Sequence, residues 1–105
     1  MQPYTAQDYT GDSAAHTLAS ILGINQCRWF QVQGVTIADT SARVGGSDVN
    51  IGGGSPAVTA IGFPIGVGGA QFSPPVSDPL TEVYDLTKWY VVAYTGDVLS
   101  IGAVL

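Results

Sequence analysis

The fold class predicted for this chain is all-β: a single-domain antiparallel β-sandwich of jelly-roll or Greek-key type, with at most one short helical turn. Three observations predict it. The 105 residues are enough for one core and short for two domains. The 14 glycines and 6 prolines are spread along the chain instead of forming one tract, as short strands joined by tight turns require. Between those turn residues, β-branched and aromatic side chains recur in short alternating runs.

Taken in order, residues 1–12 are polar and include Pro3 and Gly11, so they read as an N-terminal arm, with 13–105 as the sandwich domain. The run SAAHTLASI, 13–21, alternates loosely and is assigned as a strand, a helical turn being the alternative that its alanines allow. Gly23 and Asn25 mark a turn. CRWFQVQGVTI, 27–37, is the clearest strand: Phe30 and Val32 fall on one face, and Trp29, Gln31, Gln33, Val35 and Ile37 on the other. Gly34 interrupts it and predicts a bulge or bend. ARVGG and DVNI then read as a hairpin closed at Gly45–Ser47.

GGGSP, 52–56, reads as a loop, and AVTAIGFPI as a strand that Gly62 and Pro64 end. Pro64 has no N–H to donate, which confines it to an edge or a strand end. AQFS reads as a short strand, PPVSDP as a rigid irregular segment, and LTEVYDLTK, 80–88, as the place for the helical turn, with Thr81 or Asp85 as caps. The last seventeen residues, WYVVAYTGDVLSIGAVL, carry one charge, Asp97. They read as a terminal hairpin, Trp89–Tyr94 and Val98–Val104, turning at Thr95-Gly96-Asp97. Apolar residues on both of its faces suggest that one face meets the opposing sheet and the other a neighbouring subunit.

Charge is the most unusual quantity. Asp, Glu, Lys and Arg make up 10% of the chain, against about 25% in an average soluble protein. So few charges predict that part of the surface meets protein. The net charge is −5, with Arg28, Arg43 and Lys88 the only basic residues, which argues against a nucleic-acid partner, since that needs a basic stripe. No stretch suits a membrane-spanning helix. The opening MQPYTAQDYTGD has neither a basic nor an apolar leader segment, so synthesis in the cytoplasm is expected.

Residues able to do chemistry are sparse. His16 is the single histidine; Asp12 and Ser13 are near it in sequence, but three residues of one short stretch do not build a triad. The lone Cys27 has no disulfide partner in the chain and reads as a buried small side chain, the alternative being a thiolate stabilised by Arg28. Asp8 with Asp12, and Asp48 with Asn50, lack a fuller ligand pattern. The glycine clusters lack the Lys-Ser/Thr of a phosphate loop or a G-x-G-x-x-G ahead of a helix. No catalytic residue, cofactor or metal ligand is assigned. The candidate functional residues are protein contacts: Tyr4 and Tyr9 of the arm, Gly53 and Ser55 of the glycine-rich loop, Phe72, Pro74 and Pro75 around the proline-rich segment, and Trp89. The tryptophans and tyrosines leave a carbohydrate- or receptor-binding module as a rival, against their reading as core.

DYTGDSAAHTL, CRWFQVQ, ARVGGSDV, FPIGVGGAQFSPP and EVYDLTKWYVVAYTGDVLSIGAVL, together most of the chain, resemble in their order small structural proteins of tailed-bacteriophage virions, the head decoration or cement proteins. The resemblance implies a non-enzymatic β-sandwich made in the host cytoplasm and carried on the capsid exterior. Its partners would be the major capsid protein at capsomer junctions and itself, as a trimer or dimer. Related small proteins also occur at the tail, portal or fibre.

Overall fold

The computed structural model describes residues 4–37, 42–52, 59–66, 71–74 and 83–105. Their strands are β1 (Tyr4–Thr10), β2 (His16–Thr17), β3 (Gln26–Cys27), β4 (Trp29–Thr36), β5 (Ala42–Gly45), β6 (Phe63–Ile65), β7 (Gln71–Phe72), β8 (Tyr84–Asp85), β9 (Tyr90–Val92) and β10 (Val98–Val104), with one helix, α1 (Leu18–Leu22). One four-stranded sheet runs β1-β10-β4-β7, a second runs β2-β9-β5-β6, and β3 and β8 form a separate ribbon. All pairings are antiparallel. Phe30, Val32, Leu99, Ile101 and Ala103 from the first sheet join Ala42, Val44, Ile65, Val91 and Ala93 from the second sheet and its borders in a single buried cluster. The fold is therefore an all-β sandwich, as the alternating runs predict. Among the described residues only β5 and β6 pair as consecutive strands; the other ladders join distant ones.

The terminal segment departs most from expectation. β9 lies between β2 and β5 in the second sheet, whereas β10 lies between β1 and β4 in the first. Thr95-Gly96-Asp97 is a turn, with Asp97 N–H bonded to Tyr94 O at 3.0 Å, but it is a corner between sheets and not the tip of a hairpin. The apolar character of both strands follows from their central positions. Leu99, Ile101 and Ala103 face the core, and on the opposite face Gly102 is covered by the Tyr4 ring.

Residues 4–10, expected in an irregular arm, form β1, paired with β10 from Tyr4↔Val104 to Thr10↔Val98. The turn-rich composition hid the alternation: Thr5, Gln7 and Tyr9 stand opposite the inward-facing Ala103, Ile101 and Leu99. Of the run expected as a strand over 13–21, only His16–Thr17 is extended and Leu18–Leu22 is helical. Thr17 caps the helix by accepting the Ser20 N–H at 3.1 Å. Leu18, Ile21 and Leu22 then place their side chains against the core at helical spacing.

The Gly34 expectation holds. Leu99 pairs with Gly34 and Val98 with Thr36, so Val35 is the extra residue of a bulge. The insertion reverses the alternation: Val35 is exposed, whereas Ile37 turns inward. Pro64 lies on β6, an edge strand. The expected ARVGG–DVNI hairpin does not form. Val49 N–H closes a turn on Gly46 O at 3.1 Å, Asn50 exchanges backbone hydrogen bonds with Ile61, and β5 pairs instead with β6 and β9. Nor is there a helical turn over 83–87. Tyr84–Asp85 pairs with β3, and Asp85 Oδ1 accepts the Thr87 N–H at 3.0 Å, capping a non-helical turn. Residues 80–82 lie outside the described set.

Candidate interaction surface

β6 and β7, the terminal strands of the two sheets, lie together along one side of the sandwich. Aromatic rings bridge them. Phe63 of β6 meets Phe72 of β7 with centroids 5.1 Å apart, and Phe72 meets Trp89 at 5.6 Å. Behind these, Phe30 contacts Trp89 at 5.1 Å and Tyr84 at 5.8 Å. The row thus runs from a fully buried ring, Phe30, through half-buried Phe72 and Trp89, to Phe63, which is 47% exposed. Ile61, two residues before Phe63, is also exposed. The ring planes meet at 52° for Phe63–Phe72 and 45° for Phe72–Trp89, the tilted geometry of packed aromatics and not the flat platform on which a sugar ring stacks.

Phe72 and Trp89 are therefore brought together, but as the wall of the core as much as a surface. Pro74 is buried and presents no face to a partner. Tyr4 is 55% exposed on β1, far from this row along the sheet order. Tyr9 is half-buried and packs on the core. Gly53, Ser55 and Pro75 lie outside the described residues. Sequence reasoning passed over Ile61 and Phe63. The signal was there in Pro64, because a strand confined to an edge leaves its apolar residues unsheltered on one side.

The residues with chemical potential are held in structural roles. Asp12 Oδ2 is 2.8 Å from His16 Nε2, and Asp12 Oδ1 accepts the Ala14 N–H at 3.0 Å. Because an ionised carboxylate only accepts, Nε2–H is the donor. The Tyr9 ring packs edge-on against His16, and its hydroxyl reaches Asp12 Oδ1 at 3.4 Å. Partial burial and the neighbouring carboxylate push the Tyr9 phenol up to about 12. Ser13 is turned away, its Oγ accepting the Thr95 N–H at 3.1 Å. The cluster fastens the β1–β2 connection and aims no nucleophile at the histidine. Cys27 lines a recess of about 220 Å³ with Gln26, Arg28, Val83 and Leu105. Its side chain is nonetheless buried, and desolvation raises the thiol to about 11, which keeps it protonated at neutral pH beside Arg28. Among the described residues no three His, Cys, Asp or Glu side chains gather as metal ligands.

The Asp12 carboxyl is held below the usual 3.8, first by the His16 hydrogen bond and then by the Ala14 N–H. A depressed carboxylate pKa contributes stability that is present above the unfolded value and lost as pH falls through the folded one. Asp12→Asn is accordingly expected to lower stability to urea at about pH 6, and by a smaller margin at about pH 2, as the carboxylate takes up its proton. A deficit unchanged between the two pH values would contradict this assignment.

No protein-family model matches the chain, and neither a curated protein nor a solved structure matches it.

Proposed function

We propose that this protein is a non-enzymatic structural component of a phage particle, a decoration or cement protein that binds the capsid exterior at capsomer junctions. The observation carrying the proposal is the β6/β7 side, where Phe63 and Ile61 stand exposed on an aromatic row that continues into the core. Such a patch is anchored from behind, so a partner that covers it buries apolar area without first having to order it. The 10% charge content supports the same reading, since little of the surface is specialised for water. The phage assignment rests on the resemblance of the quoted segments. A ligand that binds the assembled shell and not its free subunits stabilises the shell by linkage.

Cryo-electron microscopy of intact particles tests this. Density for the sandwich is expected on the outer shell, with the β6/β7 side against capsid protein. Density confined to the tail, portal or fibre would move the protein to one of those sites, and its absence from the particle would overturn the virion reading.

A further inference from the structure

We infer that the edge of β1 turned away from β10 is a self-association surface, on which a second copy of this chain pairs antiparallel about a twofold axis at Gln7. The inference stands on β1 alone and does not rest on the capsid reading. At the end of the strand, Gly11 N–H bonds to Asp97 O at 2.8 Å and Gly11 O accepts the Gly96 N–H, so the backbone of Gly11 points toward β10. Alternation along the strand then directs Thr5, Gln7 and Tyr9 toward β10, and turns the N–H and C=O groups of Tyr4, Ala6, Asp8 and Thr10 outward. β10 agrees, because Val104 O faces the β4 side, bonding Arg28 N–H at 2.7 Å. Among the described residues nothing bonds those four outward backbones.

Natural sheets blunt such an edge with charged side chains, lysine above all, and with proline, a bulge or a very short strand. β1 has no lysine, proline or bulge and a single charge, Asp8; it is 7 residues long, YTAQDYT, and its register with β10 is unbroken. Its sequence fits its own copy. Full overlap of β1 with a partner's β1 places Gln7 opposite Gln7, Ala6 opposite Asp8, Thr5 opposite Tyr9 and Tyr4 opposite Thr10. The outward pairs Ala6–Asp8 and Tyr4–Thr10 exchange the ladder hydrogen bonds. The side-chain amides at the axis each offer a donor and an acceptor, and the aromatic rings meet threonines. In this register the only charge of the strand, Asp8, faces an alanine, whereas sliding by one pair toward Asp8 would set carboxylate against carboxylate. Among the described residues the opposite side of the sandwich offers no equivalent edge, since β7 spans two residues and β6 carries Pro64. Pairing at β1 therefore closes at a dimer with a continuous sheet and does not grow a fibre.

Sedimentation velocity on the purified protein tests it. A dimer is expected at about 100 μM. Gln7→Lys places like charges at the axis on an exposed side chain and is expected to raise the dissociation constant at least about fivefold. An equimolar mixture of Gln7→Lys and Gln7→Glu is expected to restore a dimer containing one of each. Ala6→Pro removes an outward N–H that β10 does not use, and is expected to give a folded monomer. A wild-type monomer at that concentration would overturn the inference, whether or not β1 then captures a strand from another protein. So would a dimer indifferent to both Gln7 variants.

Discussion

Replacing Phe30 with alanine is expected to lower the free energy of unfolding by about 3–5 kcal/mol. The ring is fully buried, and its neighbours come from three parts of the fold. Phe72 lies 6.1 Å away on β7, Trp89 5.1 Å away at the entry to β9, and Tyr84 5.8 Å away on β8. Truncation removes the transfer free energy of the ring, leaves a cavity the rigid strands cannot close, and ends several aromatic contacts worth about 0.5–1.5 kcal/mol each. Because Phe30 backs the β6/β7 side, the same substitution is expected to loosen Phe72 and Trp89, seen as a loss of near-ultraviolet circular dichroism. Equilibrium denaturation measures the first effect. A loss below about 1 kcal/mol would show that the aromatic row is a surface feature and not an extension of the core.

Gly62→Ala is expected to cost about 2–4 kcal/mol, from two independent sources. The residue has φ +118°, a conformation that L side chains rarely adopt, and a methyl group there would lie 2.8 Å from Val49 Cγ2 and 2.9 Å from Val44 O. Gly96 separates the two terms. It has φ +91° with nothing within 4 Å of the added carbon, so Gly96→Ala bears the backbone strain without the collision and is expected to cost about 1–2 kcal/mol. Gly62 sits between Ile61 and Phe63, so relief of the collision would also redirect the two exposed apolar residues proposed to meet a partner. Denaturation of the two variants side by side measures the difference. Equal losses would mean that β5 and the Val49 turn yield freely to the added methyl.

Much of the architecture was legible where the deciding physics is local. The alternation of CRWFQVQ marks β4 because side chains on an extended chain face opposite ways, whatever the strand pairs with. Gly34 marks a bulge and Pro64 an edge for similar reasons: one relaxes the backbone and the other lacks a donor. The SAAHTLASI run misled because short apolar segments fit either period, and the outcome turned on a cap, Thr17 to Ser20 N–H. For the candidate surface, Phe72 and Trp89 were recognisable as large aromatics. That one side of each would be core, and that Phe63 would be left outside, depends on which strands end each sheet.

From the residues alone came the all-β class, the positions of the main turns, the scarcity of charge and the lack of an obvious catalytic set, all properties of composition or of a few consecutive residues. The tertiary structure alone decided that β9 and β10 belong to different sheets, that Tyr4–Thr10 is a strand paired with β10, and that the aromatic row surfaces beside β6 and β7. The physical reason is the same in each case. A strand's hydrogen bonds are satisfied by any neighbour of suitable length, so the choice of partner is made by how the whole chain buries its apolar faces together.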